Sequence, residues 1–204
     1  KWPFTPERLS EIIDRETLAV IEAGCCARIG RSVTIVDIKP GADGNDRVDA
    51  IVPRQHFEPF CAFLRNEDFF IGGNAACEEC DARIAREIAG QTAYSAYRPY
   101  HCHMGLLDSR YVVEVYGRPV AALFCGQHRP PEGIEGIQQN VSELGAGRFA
   151  HILPVNDKLK HELLMCADNL TPEPPDFPER LRREAEHIQR IAEAQYQQIK
   201  SKWE

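Results

Sequence analysis

The sequence predicts an α+β fold in which an antiparallel sheet of at least four strands is flanked by helices. Three observations carry this. The centre of the chain holds three β-rich runs in succession, "YHCHMGLL" (100–107), "SRYVVEVYG" (109–117) and "PVAALFCGQ" (119–127), with Gly117-Arg118 as a hairpin turn between the last two. An alternating, β-branched run, "SVTIVDI" (32–38), supplies a further strand. Segments with helical spacing stand before, between and after these runs.

Taken in order, "FTPERLSEIIDRETLAVIEAGCCARIG" (4–30) opens with Thr5 before Pro6, a helix-start signal. Its apolar residues Leu9, Ile12, Ile13, Leu18, Ile21 and Cys25 recur at helical spacing, so one or two helices run to Gly30. The strand at 32–38 ends at Pro40, Gly41 and the turn-rich "GADGND", and a helical stretch follows. "HFEPFCAFLRN" (56–66) is a short helix or buried turn carrying Phe57, Phe60 and Phe63. Gly72 and Gly73 separate it from a helix over 75–89, with Asn74 as its cap and Gly90 at its end. Residues 132–145 and 156–169 read as helices. "TPEPPDFP" (171–178) is a stiff linker that cannot be helical and re-aims the chain.

Beyond the linker, over 179–204, Leu181, Ala185, Ile188, Ala192, Gln195 and Ile199 alternate at spacings of four and three, a heptad seam weakened by alanine and glutamine. Two arrangements bury such a seam: packing back on the helix's own domain, or a parallel two-helix stalk that makes a homodimer and leads to an output domain. The stalk is the expectation, because the chain stops within the helical pattern and reads as a segment of a longer protein.

The chain has 204 residues, 43% of them hydrophobic, enough for a real core. A net charge of −7 argues against the broad basic face that a phosphate backbone needs, so no direct nucleic-acid contact is expected. No apolar run reaches the roughly 20 residues that cross a bilayer, and no signal pattern opens the chain; a cytoplasmic location without membrane contact is the expectation.

Eight cysteines without an export signal read as thiols or metal ligands in preference to disulfides. Cys77, Cys80, Ile84 and Ile88 are spaced three, four and four apart, which puts both thiols on the apolar stripe of their helix. Small cysteines fill cores well. The same spacing lets two thiolates grip one tetrahedral ion, and Cys61 and Cys102 are the candidates to complete a shell, so a Zn²⁺ or iron–sulfur centre at Cys61, Cys77, Cys80 and Cys102 stands beside plain packing. An unbroken strand over 100–107 sends Cys102 to the face opposite His101 and His103. A zinc deaminase needs H-x-E before P-C-x-x-C; His56-Phe57-Glu58 meets the first element, but Ala76 stands where the proline should precede Cys77. A thioredoxin-type pair would sit at a solvent edge, not on a core stripe. No nucleophile elbow, phosphate loop or zinc-protease helix occurs.

Read together, "FCAFLR", "ACEECD", "YHCHMGLLD" and "GRPVAALFCGQ" resemble the PocR-type sensory domain, a bacterial ligand-binding module. The residues that carry the resemblance are Phe60-Cys61, Cys77, Cys80-Asp81, Cys102 with Gly105-Leu106, and the hairpin from Gly117 to Gly126-Gln127, with "SVTIVDI" as the first strand. It covers about residues 10 to 170. The resemblance implies a PAS-like curved antiparallel sheet that holds a small molecule against helices, with simple hydrocarbon derivatives such as propanediol as ligands. It also implies an output domain in the same chain: a histidine kinase, a cyclic-dinucleotide enzyme or a DNA-binding transcription regulator. Residues 1–170 then form the sensory domain, 171–178 the linker and 179–204 the signalling helix.

The pocket expected on this basis has Phe57, Phe60, Phe63, Tyr97, Tyr100 and Phe124 as its aromatic lining and His101, His103, Asp108 and Gln127 as its polar groups. The function expected is that of a non-enzymatic small-molecule sensor that signals through its C-terminal helix. A redox or metal sensor at the cysteines is the alternative, and a zinc hydrolase or deaminase using Glu58 is the third reading.

Overall fold

A computed structural model describes residues 5–39, 57–89 and 91–203. The helical stretch expected after Pro40, His56 of the H-x-E element and Gly90 lie outside the described residues. A short 3-10 turn at Leu9–Glu11 precedes α1 (Arg15–Ile29), β1 (Val33–Asp37), α2 (Pro59–Leu64), β2 (Phe70–Ile71) and α3 (Gly73–Ala89). Then come β3 (Tyr97–His101), β4 (Leu107–Val115), β5 (Arg118–His128), α4 (Glu135–Ser142), β6 (Leu153–Pro154), α5 (Lys158–Asp168) and α6 (Phe177–Trp203). The main sheet is antiparallel in the order β1-β5-β4-β3, and β2 pairs with β6 in a small second sheet. The expected α+β class therefore holds.

Both faces of the main sheet are covered. On one, Val33, Ile35, Val113 and Leu123 pack with Leu18 and Cys25 of α1 and with Leu181 and Ile188 of α6. On the other, Val36, Val112, Ala122 and Phe124 pack with Cys80, Ile84 and Ile88, so the apolar stripe of α3 is used as its spacing predicts. A third cluster beyond the sheet's end joins Phe60 and Leu64 of α2 to Ile137, Val141 and Leu163 of α4 and α5.

Local chemistry sets several ends differently from the sequence reading. Asp14, not Thr5, starts α1: its carboxylate accepts from Thr17 N at 2.9 Å, and Gly30 closes the helix in the left-handed region. The preceding turn is tied to β1 through Asp37, which accepts from Leu9 N and from the Ser10 hydroxyl. Asn74 lies inside α3 and bonds Arg65 and Glu78, so it does not cap the helix. The hairpin turns one residue earlier than expected, at Tyr116-Gly117, both with positive φ.

The main correction concerns "YHCHMGLL", which is not one strand. β3 stops at His101 and the chain turns back through 102–106, where Cys102 N donates to Leu106 O at 2.9 Å and Gly105 N donates to Cys102 O at 2.8 Å. β4 starts at Leu107 and pairs with β3, so alternation does not govern the directions of Cys102 and His103.

The terminal helix begins at Phe177, within the expected linker. Leu181, Ala185, Ile188 and Ala192, the first four seam residues, are buried against the domain's own sheet and α1. Gln195 and Ile199 are only partly buried. Polar ties add register: Arg28 meets Glu184 through two guanidinium nitrogens at 2.7 to 3.1 Å, and Arg180 donates to Ile29 O at the end of α1. Among the described residues no helix is long and apolar enough to cross a membrane.

Candidate ligand-binding site

A partly open cavity of about 40 Å³ lies between the α3 face of the sheet, α2 and the turn after β3. Such a space takes a few water-sized groups, that is, a molecule of roughly three to five non-hydrogen atoms. Cys77, Cys80 and Asp81 reach it from α3, Cys61 and Arg65 from α2, Cys102 and His103 from the turn, and Asp108, Phe124, Cys125 and Gln127 from β4 and β5. Ser32, Thr34 and Phe57 complete the lining.

The polar floor is a β-bulge. Leu107 pairs with His128 and Ser109 with Cys125, so Gly126 and Gln127 stand opposite the lone Asp108. Gln127 has a φ of +60°, which a side chain rarely adopts; Gln127 N donates to Asp108 Oδ1 at 2.8 Å, and its side-chain oxygen accepts from Glu58 N at 2.8 Å, ahead of α2. Gly126 is required by space. A Cβ there would lie 2.6 Å from Asp108 Oδ1 and 2.7 Å from Asp108 Cα.

Arg65 crosses the cavity wall under the Phe57 ring, 4.8 Å from its centre, with Nη1 on Asn74 at 3.0 Å and Nη2 3.9 Å from Asp81. The Tyr100 hydroxyl donates to Asp81 at 3.3 Å. Three buried polar atoms of the lining residues, Ser32 Oγ, Arg65 Nε and His103 Nδ1, have no partner among the described residues. Buried polar atoms are ordinarily paired, so such atoms mark a place where something else completes the bonding.

Burial pushes the Asp108 carboxyl up to about 7, and nearby Asp81 adds to this against the Gln127 N–H and the Arg65 and Arg31 charges. Burial lowers His103 to about 4, with Arg65, His151 and Arg83 acting the same way, so its ring is neutral at neutral pH. Burial raises Cys77 to about 12 and also raises Cys61, Cys80 and Cys102. These thiols are protonated, unlike the exposed low-pKa thiols of redox centres.

A family model for the sensory domain found in PocR matches residues 11–158, most of the chain. The chain belongs to the PocR sensory-domain family. Comparison with curated proteins and with solved structures gives no match. The four-stranded antiparallel sheet flanked by helices is consistent with the PAS-like fold expected of a PocR sensory domain, and membership makes this a ligand-sensing signalling domain.

Within this PocR domain, Phe57, His103, Asp108, Phe124 and Gln127 of the residues expected in the pocket line the cavity, and so do all four cysteines of the expected metal set. Among the described residues, however, no three His, Cys, Asp or Glu side chains form a group placed to hold a metal ion. The other expected ligand residues stand elsewhere. Phe60 and Phe63 belong to the cluster of α2, α4 and α5. Tyr97 packs on the α1 and α6 side and meets Ser109, because its strand position points it to the opposite face. His101 is exposed and bonds Glu132 at 2.8 Å. Tyr100 lies behind the lining, edge-on to Phe124, and acts through Asp81. Glu58 forms an ion pair with Arg31 at 2.8 Å.

Sequence reasoning missed Arg65 and Asp81 as site residues. Their signal was a charge on a buried stripe: Arg65 follows Cys61 by four, and Asp81 follows Cys77 by four.

Asp108 gives the PocR domain a pH dependence. Its folded pKa of about 7 lies above the unfolded value of about 3.9, so its contribution to stability is present below pH 3.9 and is lost as pH rises through 7. Asp108→Asn removes this loss. The difference in melting temperature between variant and wild type should therefore move in the variant's favour from pH 4 to pH 7 and then level off; a difference independent of pH would contradict the raised pKa.

Proposed function

We propose that this domain senses a small polar molecule of roughly three to five non-hydrogen atoms, a short diol or its aldehyde, held in this cavity. The observation that carries the reading is the set of buried polar atoms without a partner among the described residues, Ser32 Oγ, Arg65 Nε and His103 Nδ1, on residues lining a space of that size. Protonated Asp108 donates to a ligand oxygen, ionised Asp108 accepts from a hydroxyl, and Phe124 and the neutral thiols meet the carbon atoms.

The route to the output helix begins at the same bulge. Arg31 donates to the carbonyls of Gly126 and Gln127 at 3.1 and 3.3 Å, holds Glu58, and reaches the Thr171 hydroxyl at 2.6 Å. One residue beyond Gln127, the fully buried His128 ring meets Phe177, the first residue of α6, edge to face at 4.5 Å. Next, Arg129 N donates to Thr171 O at 2.8 Å. A ligand that favours one arrangement of the bulge thus biases the elbow and the docking of α6, provided that it binds the two arrangements with different affinity. In the full-length protein this bias passes to an output domain, and the partly buried Gln195 and Ile199 are the part of the seam available for a second copy.

Calorimetric titration with 1,2-propanediol, 1,2-ethanediol and propionaldehyde tests the reading. At least one should bind saturably, Asp108→Ala should weaken it about tenfold or more, and amide exchange over 171–181 should change on binding. Arg31→Gln should keep binding but blunt the exchange response at 171–181. No binding of any of the three would sink the reading.

The second reading, a Zn²⁺ or iron–sulfur sensor at Cys61, Cys77, Cys80 and Cys102, is favoured by the gathering of these four side chains on one cavity. Metal content and visible absorbance of anaerobically purified protein, beside Cys77→Ser/Cys80→Ser, distinguish it from the first.

A further inference from the structure

A second and larger space lies outside the cavity wall. It is a groove of about 430 Å³ between the first turns of α3 and the loop that holds Arg148, Phe149 and His151. Cys80 and His103 line both spaces and so form the partition between them. The groove's walls are held close by design of the backbone: Gly72, with a φ of +81°, lies so near the loop that a Cβ would stand 2.3 Å from His151 O.

Its lining carries two arginines, Arg83 and Arg148, against one carboxylate, Glu79. Arg148 lies over the buried Phe149 ring at 4.6 Å, is bonded by Asn140 and has Glu143 at 3.7 Å, so its guanidinium is held in place. Arg83 faces it from α3, with Glu87 at 3.1 Å as its exposed partner. The one carboxylate of the lining, Glu79, is already bonded by Arg86. His151 and His103 complete the polar lining. Ala75, Ala76 and Phe149 form an apolar wall, and the first turn of α3 leaves N–H groups free of helical partners.

We propose that this groove binds a small organic oxyanion, a carboxylate or a phosphate monoester, with its acid group between Arg83, Arg148 and His151 and its carbon chain against Phe149. The site is separate from the smaller cavity, which lacks the room for such a ligand. It does not depend on the cavity's binding a diol.

The experiment follows the imidazole resonances of His103 and His151 while the 204-residue chain is titrated with butyrate, butyl phosphate and the uncharged butyramide. At least one anion should move both resonances saturably at millimolar concentration, butyramide should not, and which anion binds more tightly identifies the acid group. Arg83→Gln/Arg148→Gln should weaken the anion tenfold or more with an unchanged melting temperature, and Arg83→Gln alone should weaken it less; Asp108→Asn should leave it unchanged. Equal binding of butyramide, equal affinity in the double variant, or no saturable shift with either anion would overturn the proposal. Absence of diol binding in the same sample would bear on the cavity and not on the groove.

Discussion

Gly126→Ala should cost the domain roughly 3 kcal/mol or more and abolish ligand binding in the cavity that Asp108 and Gln127 line. The added methyl group would meet Asp108 Oδ1 at 2.6 Å, Asp108 Cα at 2.7 Å and Leu107 O at 2.9 Å. Two of these three atoms belong to the backbone of the neighbouring strand and cannot move without opening the β4–β5 ladder. The control is Gly117→Ala in the hairpin turn, where φ is +73° and nothing lies within 4 Å of the new atom. That change carries only the left-handed penalty of roughly 1–2 kcal/mol. Urea denaturation of both variants, with propanediol titration of whichever remains folded, checks the comparison. If Gly126→Ala were no more harmful than Gly117→Ala, the bulge would not have the close approach on which the cavity floor depends.

Ile188→Ala should lower stability by about 2–5 kcal/mol, because the side chain is fully buried between α6 and the sheet and its loss leaves a void in a close-packed layer. Ile199→Ala, on the same seam but only partly buried, should cost less than 1 kcal/mol in the monomer. The two substitutions also separate the two arrangements of the terminal helix. Docking on the sheet makes the cost of Ile188→Ala independent of protein concentration. A stalk that used the whole seam would make it concentration-dependent and would make Ile199→Ala comparably harmful. Denaturation midpoints at two protein concentrations, tenfold apart, read the difference.

Much of the fold was legible because its elements repeat a local period. Alternation in "SVTIVDI" identifies a strand, which the structure buries on both faces, and helical spacing from Cys77 to Ile88 identifies a helix and the face that it buries. The cysteine side of the cavity was legible for the same reason, since the thiols at 77 and 80 share the stripe. The break in "YHCHMGLL" was not. Its residues favour a strand one by one, and only Gly105, at a φ of +92°, signals the turn that sends His103 to the cavity and leaves His101 in solvent.

Among the expected aromatics, Phe57 and Phe124 line the cavity, and Phe60 and Phe63 stand elsewhere for a different reason. Phe60 and Phe63 fit an apolar cavity wall as well as an apolar core, and a short helix such as α2 carries no period long enough to say which. The cluster of α4 and α5 claims them, which leaves Cys61 and Arg65 to face the cavity.

The order and type of most strands and helices, the inward stripe of α3 and the family are determined by the sequence alone, because periodicity and linked motifs are local properties of a chain. Which charges are buried together, that two residues oppose Asp108, and that the seam of α6 lies on its own sheet are decided only in the tertiary structure. The cost of burying a charge, a side chain's conflict with a neighbouring strand, and the choice between intramolecular and intermolecular packing all depend on groups far apart in sequence. Arg65 beside Asp81, Gly126 against Asp108, and Ile188 against the sheet each depend on such a distant partner.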